Sequence, residues 1–292
     1  MNAMHKLLQS FALPVLMFAG TACSGTALQA AQPTAIMPPT PSVTWADLAD
    51  LADSAPLVVH AQVRKQVRIE PERAPGVRPG WARFYFEANT ISLLAGDGLI
   101  GESLRYLGDL PLDANGNPPS LKRKQVFLFA SQVASLVPED RSGELRLVTP
   151  DAQVLWDPVS ETRLRAILPE LLEAGAPPHI TGVREAINVA GELAGQSETQ
   201  IFFSARDSGA AAISVTHRPG SAPAWGVSFS EVAENGKAPP LDTLRWYRLA
   251  CFLPPSLPRG TNLSESPEEK AQAEADYKLV MGELGACPRL RR

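Results

Sequence analysis

The alternating stretch from Leu57 to Ile69 constrains the fold more than any other part of this 292-residue sequence. Apolar and polar residues alternate along it, which is typical of a pleated strand with one packed face and one wet face. The inward set is Leu57, Val59, Ala61, Val63, Val67 and Ile69. A single strand cannot form a core alone, so the pattern predicts that later strands complete a sheet against it.

The polar side of this strand is the candidate binding face. It carries His60, Gln62, Arg64, Gln66 and Arg68. A solvated strand face without a ligand would show the same pattern, so both interpretations stay open.

A change of phase in the next strand predicts a curved sheet. Phe84, Phe86 and Ala88 alternate in one register, whereas Ile91 and Leu93 follow the other. Either a bulge near Asn89 and Thr90 re-aims the strand, or the strand crosses from one sheet to another. The run 126–130 is apolar at every position, which predicts a strand covered on both faces. Shorter strands around Leu104, Leu145 and Val154 bring the count to five or six, enough to close a small barrel.

Capping and proline signals divide the chain into four parts: a signal peptide 1–30, a proline-rich tether 31–43, a barrel domain 44–176 and a second domain 177–292. Thr44 with Asp47 forms a capping box, and Asp157 with Pro158 starts a helix that Pro169 kinks or splits. The second domain carries four strands between residues 182 and 229 and a helix that begins at Ser266. Residues 183–194 also fit a helix, and for residues 241–253 we favour a strand. The fold class is therefore mixed α/β of the α+β type.

The first residues predict export. A weakly basic start precedes an apolar run, 7–20, that is too short to span a bilayer. Two processing routes fit: cleavage after small residues near Ala22, Ala27 or Ala30, and lipidation of Cys23. An uncleaved anchor is the remaining alternative. The chain is then periplasmic or extracellular, or it is a membrane-anchored lipoprotein.

Cysteine content agrees with export. If Cys23 is removed or lipidated, Cys251 and Cys287 remain, an even number suited to an oxidising compartment. We therefore predict a disulfide between them.

The net charge of −4 and the 20 % charged residues exclude a global field for nucleic acid or anionic membranes. The basic run 289–292 is expected to be a solvated, frayed tail. The remaining partners are an envelope protein or a small ligand, and the membrane is reached only through the signal or a lipid anchor.

Catalytic and metal motifs are weak. Asp207 and Ser208 precede His217 in a pattern like that around a serine nucleophile, although turn chemistry explains it. Residues 113–117 begin like a calcium loop, but Pro118 stands where that loop needs glycine. We predict no cofactor and no metal site.

Residues 45–175 resemble small barrels of the oligonucleotide/oligosaccharide-binding (OB) type, and the order of elements is similar to netrin-like modules of the tissue-inhibitor kind. The resemblance rests on residues 57–63, 83–94, 126–129 and 154–156. It implies a barrel followed by a helix and carries over no functional residue.

These patterns favour an exported envelope protein that serves in binding or assembly without catalysis. The alternative is a periplasmic hydrolase whose site lies between the two domains and uses some of Ser208, His217, Asp207, His179 and Glu198.

Overall fold

The computed structural model describes residues 43–97, 100–133, 143–206, 209–229 and 238–291, all within the compact unit Pro41–Arg292. The predicted signal peptide, Cys23 and the tether up to residue 42 lie outside the described residues. The elements in chain order are α1 (Trp45–Ser54), β1 (Leu57–Arg68), β2 (Trp81–Ala95), β3 (Ser103–Pro111), β4 (Gln125–Gln132), β5 (Glu144–Leu147), β6 (Gln153–Leu155), α2 (Pro158–Leu172), β7 (Ile180–Ala190), β8 (Ser197–Ala205), β9 (Ala212–His217), β10 (Ala224–Ser228), α3 (Leu244–Ala250) and α4 (Pro267–Leu284).

Five strands close into a barrel in the order β1, β2, β3, β5, β4, and β4 pairs back with β1. Only the β3–β5 pair of this ring is parallel. β6 pairs with β4 beside β5. β4 is buried at every position from Val126 to Ala130, as its continuous apolar run predicts. The expected OB-like barrel and the α+β fold class are confirmed.

Three register shifts bend β1 against β2, so the bulge interpretation is confirmed. Leu94 and Ile91 are the extra residues on β2, and Arg64 is the extra residue on β1. Each extra residue interrupts the ladder and increases the local twist, which is how this pair of long strands curves enough for the barrel to close.

A second, antiparallel sheet has the order β10, β9, β8, β7, and α4 packs against β7 and β8. The four predicted strands are confirmed, and residues 183–190 belong to β7 rather than to a helix. α2 runs through Pro169 as one helix, so the proline does not split it, and the alternative of a kink at Pro169 stays a prediction. The boundary expected at residue 177 stays a prediction.

The strand favoured within residues 241–253 is wrong, because this segment contains the helix α3. Thr243 caps it by accepting a hydrogen bond from the Trp246 amide at 3.3 Å. Six of its seven residues are buried, so the sequence shows no alternation of apolar and polar positions. A short apolar run of this kind does not distinguish a helix from a strand.

Three aspartates on one side of α1, here called the aspartate face, bind distant parts of the chain. Asp47, Asp50 and Asp53 are three residues apart and so share one side of the helix. Asp53 accepts two hydrogen bonds, at 2.6 and 2.8 Å, from the buried guanidinium of Arg248 on α3. Asp50 accepts one from the Tyr247 hydroxyl at 2.5 Å.

The aspartate face also binds the segment 289–291, here called the tail. Arg289 donates to both oxygens of Asp50 at 2.6 and 2.8 Å, which raises the pKa of the guanidinium. The amides of Leu290 and Arg291 donate to Asp47 at 3.1 and 3.0 Å. The expectation of a frayed tail is therefore wrong for residues 289–291, and residue 292 lies outside the described residues.

The predicted disulfide between Cys251 and Cys287 is confirmed. Cys251 follows α3 directly, and Cys287 lies two residues before Arg289. The bond therefore joins the tail to the helix that also contacts the aspartate face.

Candidate functional site

The bulge at Arg64 changes which side chains of β1 face outward. Val63 lies opposite Ala88, and after the extra residue Lys65 lies opposite Glu87. Because one residue of slip reverses the faces of a strand, the positions beyond the bulge exchange sides. Val67 is consequently 42 % exposed, contrary to its predicted inward position.

The predicted binding face is therefore not a continuous row. Gln66 and Arg68 lie opposite the buried Phe86 and Phe84. Both side chains donate to backbone carbonyls of the β3–β4 connection. The Leu121 amide donates to Gln66 Oε1 at 2.8 Å, and the Gln66 amide donates to a backbone carbonyl of the same connection at 3.1 Å. Arg64, on the outer side, pairs with Glu87.

His60 is buried, so its expected place on a wet face is wrong. Its Nε2 lies 2.9 Å from Gln125 Oε1, and its ring stacks on Trp156 with the centroids 5.9 Å apart. Gln62 is exposed, and its amide donates to a backbone carbonyl at 3.4 Å. These five residues support the barrel and its loops, and they do not form one ligand surface.

The outer face of β1, β2, β3 and β5 instead presents an apolar row. Residues directly opposite one another on neighbouring strands share a face. Val67 lies opposite Tyr85, Tyr85 opposite Leu107, and Leu107 opposite Arg146. Leu107 is 50 % exposed, so this row offers apolar surface to a partner.

Charged pairs flank the apolar row on both sides. On one side Arg83 donates to both oxygens of Asp109, at 2.8 and 3.0 Å, and these hydrogen bonds raise the pKa of the guanidinium. On the other side Arg105 lies opposite both Glu87 and Glu144. The Arg105–Glu144 pair is loose, at 3.9 Å, and both side chains are exposed.

A groove of about 520 Å³ opens over this face. Arginines 83, 105 and 146 line it together with Glu144, and its apolar surface comes mainly from Tyr85, Leu107, Leu145, Leu147, Val133 and Pro150. The side chain of Arg146 has no hydrogen-bond or ion-pair partner in the part of the chain that the structure describes. The lack of a side chain at Gly143 lets the chain enter β5 close beside β3, since a Cβ on Gly143 would lie 1.9 Å from the Ser103 carbonyl oxygen.

The sequence contains a signal for this groove. Arg83, Tyr85 and Glu87 alternate with buried residues along β2, and Arg105 and Leu107 do the same along β3. That alternation identifies the outer face of each strand. The pairing that brings Arg146 beside Leu107 joins positions 39 residues apart, and no local pattern indicates it.

The residues of the predicted hydrolase site do not converge among those described. His217 faces α4, with Nε2 at 2.7 Å from Oδ1 of the buried Asp276. Glu198 is exposed and lies one position away from the buried Thr199, on the opposite face of the sheet. His179 contacts Asp53 and Arg248 beside α1. Asp207 and Ser208 lie outside the described residues.

The carboxylate of Asp276 belongs to a buried polar network. The Thr199 hydroxyl donates to its second oxygen, and the Asn188 amide donates to Thr199 at 2.8 Å. The Gln272 amide donates to the same oxygen that His217 contacts, at 2.8 Å. The network ties the inner face of the second sheet to α4.

The five described ranges offer neither a cluster of metal ligands nor a membrane-spanning helix. They contain no cluster of three or more His, Cys, Asp or Glu side chains arranged to hold a metal ion. None of their helices combines the length and apolarity needed to cross a membrane. The segment that begins like a calcium loop forms a turn in which Asp113 Oδ1 accepts from the Asn117 amide at 2.8 Å, which lowers the pKa of Asp113.

No family model matches this sequence, and comparison with curated proteins finds no significant match.

Proposed function

We propose that this protein is an exported binding module whose barrel groove holds an anionic ligand. The observation that carries the proposal is the groove itself, where three arginines and one glutamate surround an apolar floor. Guanidinium groups bind carboxylates and phosphates through paired hydrogen bonds, and an apolar floor strengthens them by excluding water. The positive lining stands out on a chain whose net charge is −4.

The architecture supports a binding role by analogy. OB-type barrels bind ligands on the face of their second and third strands, which is where this groove lies. The order of barrel and following helix also supports the netrin-like resemblance, and we propose that relationship for the architecture alone. Fold similarity does not supply a ligand, so the argument for an anion rests on the lining residues.

Export is part of the same proposal. The apolar run 7–20 and the small residues after it support a signal peptide, and the disulfide is compatible with an oxidising compartment. The mature protein is then periplasmic or extracellular, or anchored through Cys23. Intact mass separates these outcomes, since lipidation adds a diacylglyceryl group to Cys23, whereas a chain whose mass matches the full precursor contradicts both cleavage and lipidation.

Two labelled anions test the binding proposal in solution. Fluorescence anisotropy would follow an octapeptide of alternating glutamate and leucine, and an oligogalacturonate, at low and high salt. We expect at least one of them to bind, and to bind roughly tenfold more weakly to the Arg105→Ala/Arg146→Ala variant. Arg165→Ala is the matched control, because this arginine is 64 % exposed on α2, outside the groove. If neither anion binds, the proposal is wrong.

We propose a hydrolase as the second candidate, favoured by the close pair of His217 and Asp276. A carboxylate that orients a histidine is one part of a nucleophilic site, and Ser208 would supply the nucleophile. The test is turnover of chromogenic esters and peptides. Loss of activity in both Ser208→Ala and His217→Ala supports this candidate, and unchanged activity in either variant rejects it.

A further inference from the structure

A second pocket adjoins the groove. It has a volume of about 290 Å³ and lies under the β1–β2 connection, residues 69–80. Arg83 lines both cavities, so the two meet at this side chain. Together we call them the bipartite site.

The second pocket repeats the chemistry of the groove. Trp81 and Val77 give it apolar surface, and Arg68 and Arg78 give it positive charge. The Arg78 guanidinium lies 4.1 Å from the centre of the Trp81 ring, which fixes an aromatic side chain beside a cation. Arg78 is also held by Asp151 at 2.8 Å.

Positive side chains outnumber negative ones in the lining of the bipartite site. Five arginines and one glutamate line it: Arg68, Arg78, Arg83, Arg105, Arg146 and Glu144. Asp109 and Asp151 neutralise Arg83 and Arg78 in part, but neither lines a cavity. A ligand that covers the whole site therefore meets positive charge at both ends and at the junction.

The spacing sets the length of such a ligand. Trp81, Arg83 and Tyr85 alternate along one side of β2. At about 3.3 Å per residue, the distance from Trp81 to Tyr85 is about 13 Å. Both cavities extend beyond these side chains, so a ligand that fills both must be longer than four residues of extended peptide, or of an equivalent length.

We propose that the ligand of the bipartite site is an extended peptide segment of a partner protein that combines acidic and apolar side chains. This inference rests on the proposed function. Leucine, valine and proline surfaces, as in the groove, match apolar side chains, whereas a sugar presents hydroxyl groups that such surfaces leave without hydrogen bonds. The arginines match the carboxylates of the same segment.

The test compares the affinities of several probes for the exported form of the protein. We expect the glutamate–leucine octapeptide to bind more tightly than a glutamate–glycine octapeptide and than the oligogalacturonate. A four-residue version of the glutamate–leucine peptide reaches only one cavity and should bind at least tenfold more weakly.

Substitutions in each cavity test the two parts of the site separately. Leu107→Ser and Arg78→Ala should each weaken the octapeptide roughly tenfold, and Arg78→Ala should leave the four-residue peptide unaffected. Arg165→Ala should bind both peptides as the wild type does. Circular dichroism checks that each variant is folded.

The contrary results are distinguishable. Octapeptide binding that is insensitive to Arg78→Ala, or oligogalacturonate binding tighter than the octapeptide, overturns the peptide inference and leaves the anion-binding groove standing. Binding of no probe overturns the proposed function as well.

Discussion

Removal of the disulfide should destabilise the protein more than any change at its surface. In the Cys251→Ala/Cys287→Ala variant, the unfolded chain loses a closed loop, because the two cysteines are 36 residues apart. On the chain-entropy model a loop of that length contributes roughly 4 kcal/mol to the free energy of unfolding.

The contribution of the tail can be measured separately. A chain that ends at residue 287 keeps the disulfide but lacks Arg289 and the amides that donate to Asp47. Hydrogen bonds to a charged group contribute roughly 1.5–3 kcal/mol when they are buried, and the partial exposure of Arg289 reduces its share. We expect this truncation to lower the free energy of unfolding by about 2 kcal/mol.

Urea unfolding followed by circular dichroism is the assay, with the free energy extrapolated to water. The double variant should unfold at lower urea, and the wild type under reducing conditions should match it. A loss below about 1 kcal/mol in the double variant would refute the argument, because it would mean that the unfolded chain gains little freedom when the bond is removed.

Three further predictions concern the core and the barrel. Val63→Thr, at 1 % exposure, should lower the free energy of unfolding by about 1–3 kcal/mol, whereas Val67→Thr should change it by less than about 0.5 kcal/mol; equal losses in urea titrations would mean that the bulge between them does not exist. Arg248→Met leaves the Asp53 carboxylate without its main partner and should cost about 3–5 kcal/mol, much of which Asp53→Asn in the same chain should restore. Burial raises the pKa of three tyrosines in the folded protein, so their contribution to the free energy of unfolding is fully present below about pH 10 and falls as the pH rises further. Their tyrosinate absorbance should appear together with loss of the circular dichroism signal. Ionisation of these tyrosines well before unfolding would contradict the prediction. These tyrosines are Tyr106, Tyr247 and Tyr277.

Local patterns predicted most of the elements, because caps and alternation act within a few residues. The predicted capping box at Thr44 forms as its spacing requires, and at the predicted start of α4 Ser266 forms a second capping box with Glu269. The prediction of which side chains of β1 face outward was wrong beyond Arg64, and the sequence shows why. Strict alternation places Lys65 on the inward side, where a charged residue does not belong, and that break marks the bulge.

The candidate site was harder to predict, because its parts come from four strands. Tyr85 and Leu107 are identifiable as outward residues within their own strands. Their alignment with Val67 and Arg146 depends on strand registers that bulges and long connections decide. The spacing of the aspartate face is visible in the sequence too, whereas its partners lie about 200 residues or more away.

The carboxylates of the aspartate face are synthesised long before the residues that bind them. α1 is the first described element to leave the ribosome or the export channel, yet Asp47 and Asp50 receive their partners only when residues 289–291 follow. Contacts of such long sequence separation form late in folding. A chain that is interrupted or clipped before residue 289 therefore retains carboxylates on α1 that lack their partners. Proteolytic quality control would thus meet a truncated product whose defect lies at the opposite end of the sequence from the cut.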